Sequence, residues 1–425
     1  MNIREFYSSS TPTRHVQNAA CLAGAYLFRR LNRTTRYIAF TGSNGKTTSR
    51  DCLAAILRSR YPSGVVVTKG NSNYRLAQSL MRVKRSDRFA LVEIGISQTG
   101  EMGRRAATVL PHMAVITKVS LAHPMGLSTL EITAREKEKL LHGLRPGGVA
   151  VLNGEDPLVR RMTAPQIGKT VFFGECDGSI ARAREIRSSI EEGLQFRLVS
   201  VAGEREIQLG LFGVHWVNAV LGAIAAAILL EVPLDKIQQA LRGVYAHVAR
   251  MAPVALPNGA ILIRDEYNGW LPSFEAAIAF LKTVEGRRRF VIISEIRYLE
   301  DNLPARFAWL AEKIASAAEG VIFVGPQADL AASLARQAGM DASLVHGFQD
   351  LREAAARLPS IVGLGDVVLL RGRSIDHLTR LVYAQFGRVS CWKTDCSIIR
   401  ECDYCEQLGA VDAAGLPVQL PRIPL

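Results

Sequence analysis

The segment Phe40-Thr41-Gly42-Ser43-Asn44-Gly45-Lys46-Thr47-Thr48 constrains this chain more than any other. It follows the apolar run Tyr37–Phe40 and precedes a helix-like stretch, Ser49 to Leu57. Strand, glycine loop and helix in that order form the setting of a phosphate-binding loop. Glycines let the backbone turn tightly, so that loop amides and a helix N-terminus face phosphate oxygens. Gly42, Asn44, Gly45 and Thr48 would then line the nucleotide, Lys46 would reach the β/γ-phosphates, and the Thr47 hydroxyl would sit on Mg²⁺. ATP and Mg²⁺ are the ligands this loop implies. The loop is a short form, because Phe40 stands where the commoner version has its first glycine.

The rest of the chain supplies a suitable frame. Strand-like runs at Tyr37–Phe40, Gly64–Thr68, Phe89–Ile94, Met113–Thr117 and Gly148–Leu152 alternate with helix-like segments such as Leu130–Leu141. That alternation predicts an α/β domain, a doubly wound, mostly parallel sheet over about residues 36–245. Val171–Phe173, Leu194–Val201 and Glu206–Leu211 read as short antiparallel strands, followed by a helix from His215 to Leu230. A smaller Rossmann-like α/β domain is expected over 246–388. It has a hairpin at Pro257-Asn258-Gly259, strands at Phe290–Ile293, Gly320–Val324 and Val367–Leu370, and helices at Arg306–Ala317 and Leu330–Gln337. Residues 1–35 read as a short helical extension and 389–425 as a cysteine-rich tail.

Charge and hydropathy narrow the partners. The longest apolar run, Ala219 to Leu230, is shorter than the ~18–20 residues of a membrane span and reads as a buried helix. Ala19 to Phe28 is followed directly by Arg29, Arg30 and Arg33, which fits an N-terminal helix of a cytoplasmic protein. The net charge of +13 is scattered, with small clusters such as Arg287-Arg288-Arg289 and no aromatic-interleaved basic motif. Phosphorylated ligands suit that surface better than nucleic acid does. Cys21, Cys52 and Cys176 read as packing residues. Cys391, Cys396, Cys402 and Cys405 could hold Zn²⁺ or an Fe–S cluster, or remain free thiols on a packed segment.

Several phrases beyond the loop bear on chemistry. Glu93 ends an apolar strand in Val92-Glu93-Ile94-Gly95, placed to hold a metal in the crevice of an open sheet or to pair with a cation. His123 follows the strand Val115–Thr117, and Lys137 lies in Ala134-Arg135-Glu136-Lys137-Glu138-Lys139. Arg250-Met251 opens the second domain, and Leu262-Ile263-Arg264-Asp265-Glu266-Tyr267-Asn268 and Gly365-Asp366-Val367-Val368-Leu369-Leu370-Arg371-Gly372 follow.

Together these phrases resemble the Mur ligase family, ATP-dependent amide-forming enzymes. The resemblance is nearest to the MurF branch, which adds D-Ala-D-Ala to the muramyl tripeptide, and it runs from about residue 36 to 386. It implies a metal-binding Glu93, a His123 near the metal, and Lys137, rather than Lys139, as a lysine that becomes an anionic Mg²⁺ ligand on carbamylation. It also implies an Arg250 that reaches the γ-phosphate and nucleotide contacts from Asp265, Tyr267 and Asn268. Departures stand beside the matches. Lys118 replaces an Asn, Ala249 replaces the Gly of Gly-Arg-Met, Trp270 replaces an Asn, and Arg371 replaces a Lys. Residues 262–268 read Leu-Ile-Arg-Asp-Glu-Tyr-Asn where the branch reads Leu-Ile-Asp-Asp-Ser-Tyr-Asn. Few residues precede the first strand, so a full-sized UDP-sugar domain is not expected. The implied function is joining a carboxylic acid to an amine through an acyl phosphate, with release of ADP and phosphate. The acid could be an amino acid, a peptide, a natural-product intermediate or a carrier-bound acid. Cell-wall or poly-γ-glutamate ligation, and a catalytically silent ATP-binding partner protein, are the alternatives.

Overall fold

The computed structural model describes residues 12–69, 72–120, 126–296, 302–387, 389–393, 396, 402–409 and 420–421. Two sheets organise them. The first runs through β1 (Arg36–Thr41), β2 (Val65–Lys69), β3 (Phe89–Glu93), β4 (Met113–Ile116), β5 (Gly148–Asn153), β6 (Ile167–Phe173), β7 (Ser179–Ser189), β8 (Gly193–Ser200) and β9 (Gly203–Leu209). Its strand order is β2-β3-β1-β4-β5-β6-β7-β8-β9.

β1 shows why the parallel part forms. Tyr37, Ile38, Ala39 and Phe40 are all buried, the near-continuous apolar run of a strand covered on both faces. Ile38 and Phe40 join one apolar layer with Leu91, Val115 and Val151, under the helices Lys46–Arg60 and Val217–Leu229. Tyr37 and Ala39 join the opposite layer with Ala90, Val92 and Ile116. The two-residue period of a strand sends alternate side chains to the two layers. Helix Pro12–Leu31 is fastened to this second face: the Nε of buried Arg29 donates to the Val109 carbonyl at 2.6 Å and its guanidinium lies 4.6 Å from the Tyr37 ring centre.

The sequence expectation of antiparallel strands after residue 170 needs correction at its start. β6 pairs parallel with both β5 and β7, and only β7–β8 and β8–β9 are antiparallel. β7 escaped the sequence reading because its middle, Arg184 to Arg187, is exposed and charged and carries no apolar alternation. The phosphate-loop helix also starts three residues earlier than expected, at Lys46.

The second sheet has the order β10-β11-β15-β12-β13-β14, with β10 (Ala252–Ala255), β11 (Ile261–Asp265), β12 (Arg289–Ile293), β13 (Gly320–Val324), β14 (Val345–Phe348) and β15 (Val367–Arg371). β10 and β11 form the expected hairpin and the remaining pairs are parallel. Phe212 and Ile190 from the first sheet's surroundings bury themselves among Phe274, Phe280 and Leu281 of the second, with Phe212 and Phe280 edge to face at 5.9 Å. Among the described residues no helix is long and apolar enough to cross a membrane.

His112 offers a stability test. Its Nδ1 accepts the Tyr37 amide at 3.0 Å, which requires the neutral ring. Burial, with Arg145, Arg29 and Arg36 adding to it, lowers its pKa from 6.5 to about 4. The unfolded chain therefore binds a proton that the folded chain refuses. Stability is full above the ordinary histidine pKa and falls as pH drops toward about 4. His112→Asn keeps an acceptor without the proton. Melting temperatures followed from neutral pH down to about 4 should fall less steeply in that variant than in the wild type.

Candidate active site

The crevice at the carboxyl end of the first sheet lies where strand order turns around β1, between β3 and β4. Ligands of open α/β sheets bind at such points. From β1 comes the loop 42–45. Gly42 (φ 149°) and Gly45 (φ 81°) have positive φ, and a Cβ on Gly42 would lie 2.0 Å from the Thr117 hydroxyl. Only glycine lets the loop pass there. The segment after β4 holds the loop in place: Ser43 N donates to the Lys118 carbonyl at 2.6 Å, and the Ser43 hydroxyl and Ser120 N bond at 2.8 Å. That segment is itself fixed by Asn153, whose Nδ2 donates to the Thr117 carbonyl at 2.6 Å, and by Asp156, which accepts Val119 N at 2.7 Å. Asn153 and Asp156, at and just after the end of β5, thus brace the phosphate loop through the segment after β4.

Gly45 caps helix Lys46–Arg60 in a left-handed conformation, aiming the helix N-terminus at the crevice. Lys46 Nζ folds back on the carbonyls of Gly42 (2.7 Å) and Ser43 (3.3 Å). Burial lowers its pKa, Glu93 opposes that, and Arg250 adds to it. Thr47 Oγ1 donates to Glu93 Oε2 at 2.9 Å, and Arg50 Nη1 donates to the same oxygen at 2.8 Å. Burial pushes Glu93 up, but Arg50, Lys46, the Thr47 hydroxyl and Arg250 outweigh that and hold it below the usual carboxylate range. A carboxylate beside a hydroxyl is a hard oxygen donor set, which suits Mg²⁺. Asn44 Nδ2 reaches the Ser120 hydroxyl at 3.4 Å, and Thr48 is half-buried on the first turn of the helix.

Lys137 points inward from helix Leu130–His142 and is 3% exposed. Burial lowers its pKa well below the lysine range, and the charge on nearby Lys46 adds to that. Lys139 faces outward instead, 44% exposed and paired with Glu136. His123 lies outside the described residues.

The second sheet contributes from its own carboxyl end. Asp265 and Arg371 are register partners on β11 and β15 and form a buried ion pair. The same guanidinium reaches the Asn268 carbonyl at 2.7 Å and the Trp270 carbonyl at 2.9 Å, fastening the loop after β11. Burial lifts Asp265 to about 6, against the pull of Arg371. Arg250 lies 4.2 Å over the Tyr267 ring, and its Nε is buried with no hydrogen-bond partner among the described residues. Its charge is felt at both Lys46 and Glu93.

Arg250 sits between two left-handed residues, Ala249 (φ 57°) and Met251 (φ 54°). Alanine there costs about 1 kcal/mol or more, part of which glycine would return as unfolded-state entropy. Ala249→Gly is expected to stabilise the chain by about 0.5–1 kcal/mol, read as a rise in calorimetric melting temperature.

Sequence reading missed Arg50. Its position one helical turn after Lys46 puts it on the loop's own face of the helix, and that spacing was the available signal. For the metal expected in the tail the described residues offer no ligand group. Cys391, Cys396, Cys402 and Cys405 are free, and among the described residues no group of three or more His, Cys, Asp or Glu could hold a metal. Cys402 is buried with its Sγ 3.3 Å from His377 Nδ1, and burial lifts its pKa to about 11.

Comparison with known proteins decides the family. The models of the Mur ligase middle domain and of the Mur ligase glutamate ligase domain match residues 40–227 and 249–374. The chain belongs to the Mur ligase family. Among its Mur ligase relatives is the UDP-N-acetylmuramoyl-tripeptide--D-alanyl-D-alanine ligase of Bacillus subtilis, 28% identical over 66% of this chain and 60% of the relative. The enzyme of the same name from Treponema pallidum is 29% identical over 81% of this chain and 73% of the relative. The chain thus spans about three fifths of the Bacillus enzyme's length. Crystal structures share the fold. A MurF from Acinetobacter baumannii superposes with TM-score 0.77 at 23% identity, covering 87% of this chain and 80% of that one. The MurF ligase of Thermotoga maritima in complex with ADP superposes with TM-score 0.73 at 19% identity, covering 86% and 82%. A phosphate-loop sheet domain followed by a Rossmann-like domain is therefore the architecture of this Mur ligase.

Proposed function

We propose that the chain is an ATP-dependent amide ligase that joins a carboxylic acid to an amine through an acyl phosphate. The observation that carries this reading is the convergence of Lys46, Thr47, Glu93 and Lys137 on one crevice, with Arg250 facing them from the second sheet. A buried lysine with a depressed pKa beside the phosphate loop supports catalysis over silent nucleotide binding.

In this reading an oxygen of the substrate carboxylate attacks the γ-phosphorus of ATP. The bond from phosphorus to the bridging oxygen breaks and ADP leaves. Lys46, the loop amides and Arg250 neutralise charge on the transferred group, which supplies most of the rate in phosphoryl transfer. Mg²⁺ would be held by Thr47, Glu93 and a carbamylated Lys137, and would neutralise phosphate charge when bound. The amine then attacks the acyl carbon, and the tetrahedral adduct expels phosphate to leave the amide. Asp265, Tyr267 and Asn268 would contact the nucleotide, and closure of the two domains would exclude the water that hydrolyses an acyl phosphate.

The acid is proposed to be an amino acid, peptide or natural-product intermediate, and the change from the family wording at Trp270 would alter nucleotide or amine-side contacts. Cytoplasmic ATP would supply the reaction. The test is ADP and phosphate release with Mg²⁺ and pooled acids and amines, with products read by mass spectrometry. An amide mass that needs acid, amine and ATP together supports the proposal. Nucleotide binding without release or product across the pools contradicts it.

A further inference from the structure

The tail contains a buried anion that faces the loop following β11. Asp403 is 2% exposed and forms two bonds to the Arg264 guanidinium, Nη1 to Oδ1 at 2.7 Å and Nη2 to Oδ2 at 3.0 Å. The Tyr383 hydroxyl donates to the same carboxylate at 3.1 Å. Arg264 also donates from Nε to Glu266 Oε1 at 2.8 Å, and the Thr379 hydroxyl closes the ring on Glu266 Oε1 at 3.2 Å. Arg264 and Glu266 are 3% and 1% exposed. A second anchor ties Pro421 O to the amide of Ala255 on the edge strand β10, at 3.0 Å.

Alternation along the strand gives this cluster its meaning. Arg264 and Glu266 point to the tail side, while Asp265 between them points to Arg371 and accepts the Met251 amide at 3.2 Å. The family wording is kept at Asp265 and Tyr267 on the nucleotide side. It is changed at both tail-side positions, from Asp to Arg264 and from Ser to Glu266. The two changes and the tail's Asp403 make one network: Arg264 bonds both carboxylates, Asp403 supplies two of its acceptors, and Glu266 is held by Arg264 and Thr379. A buried guanidinium or carboxylate needs its partners. Just beyond the cluster, the Tyr267 amide donates to the Ala249 carbonyl at 3.1 Å, and the Tyr267 ring lies under Arg250.

We infer that the tail is a working part of the site: Asp403 is a positioning residue that acts through Arg264 and Glu266 to hold the segment 265–268, and with it Arg250, in place. The anchoring stands without the ligase reading; only its consequence for nucleotide binding rests on that reading.

Hydrogen exchange on the full chain tests the anchoring with no ligand present. Asp403→Ala is expected to speed exchange about tenfold or more in peptides covering 249–251 and 265–270, with β1 unchanged. Glu406→Ala, at an exposed neighbouring position, should leave both unchanged. The triple variant Arg264→Met, Glu266→Gln, Asp403→Asn removes the charges together and should recover protection lost by Asp403→Ala. It also covers the case in which the single variant does not fold. ADP binding measured by calorimetry should weaken in Asp403→Ala and recover in the triple variant. Release of the tail peptide 402–408 with no change at 249–251 or 265–270 would overturn the inference. Faster exchange there with wild-type ADP affinity would keep the anchoring and count against the nucleotide role of Asp265, Tyr267 and Asn268. Loss of ADP binding in every variant and the wild type would count against the ligase reading alone.

Discussion

Replacing Lys46 by alanine is expected to lower ATP turnover by at least about a thousandfold while the chain stays folded. The ammonium group rests on two loop carbonyls and is half-buried, so its removal opens no apolar cavity. What is lost is the one loop cation able to follow charge onto the transferred phosphoryl group. Lys46→Arg should fail as well, because a planar guanidinium does not replace a compact ammonium in a loop this tight. The effect also reaches the neighbouring lysine. Lys46 is one of the groups that depress Lys137, so Lys46→Ala should make Lys137 hold its proton more tightly. Steady-state phosphate release and the melting temperature, measured side by side, separate the chemical loss from any loss of fold.

Lys137→Ala is expected to cost at least about a hundredfold in turnover, and Lys139→Ala no more than about a fewfold. The two lysines are two residues apart on one helix and have opposite surroundings. Lys137 is buried toward the crevice beside another cation, and Lys139 is largely solvated and paired with Glu136. Burial and a like charge both favour the neutral amine, the form that reacts with carbon dioxide. If the carbamate is the working form, acetate or formate added to Lys137→Ala should restore part of the activity by supplying a carboxylate. Labelled bicarbonate should give a carbamate NMR signal in the wild type that is absent from Lys137→Ala. Full activity in Lys137→Ala would remove this residue from the mechanism.

The sequence made the phosphate-loop half of the site legible because its signals are local. A strand, two glycines and a lysine within ten residues define a geometry whatever the rest of the chain does. The inner strands β1, β3 and β4 were equally plain, since strands covered on both faces must be apolar throughout. The antiparallel extension was harder to read. β7 is long but half-exposed, and its arginines mask the strand period. Convergence across the domains was legible only through the family resemblance, which brings Arg250 to the γ-phosphate; nothing in the order of residues shows that Arg264 meets Asp403 from 139 positions further along. In the tail, four cysteines stand out by composition, whereas the aspartate following Cys402, which reaches Arg264 in the structure, carries no sequence signal of its own.

In the proposed reaction a substrate carboxylate becomes an acyl phosphate before it becomes an amide. Once a productive acid and amine pair is identified, the acid should be supplied with heavy oxygen in both carboxylate positions, and the phosphate released during turnover collected for mass spectrometry. One heavy oxygen is expected in every phosphate formed along with amide, because the attacking carboxylate oxygen leaves with the phosphoryl group. Phosphate carrying only oxygen from ATP and water, formed while amide accumulates, would contradict it.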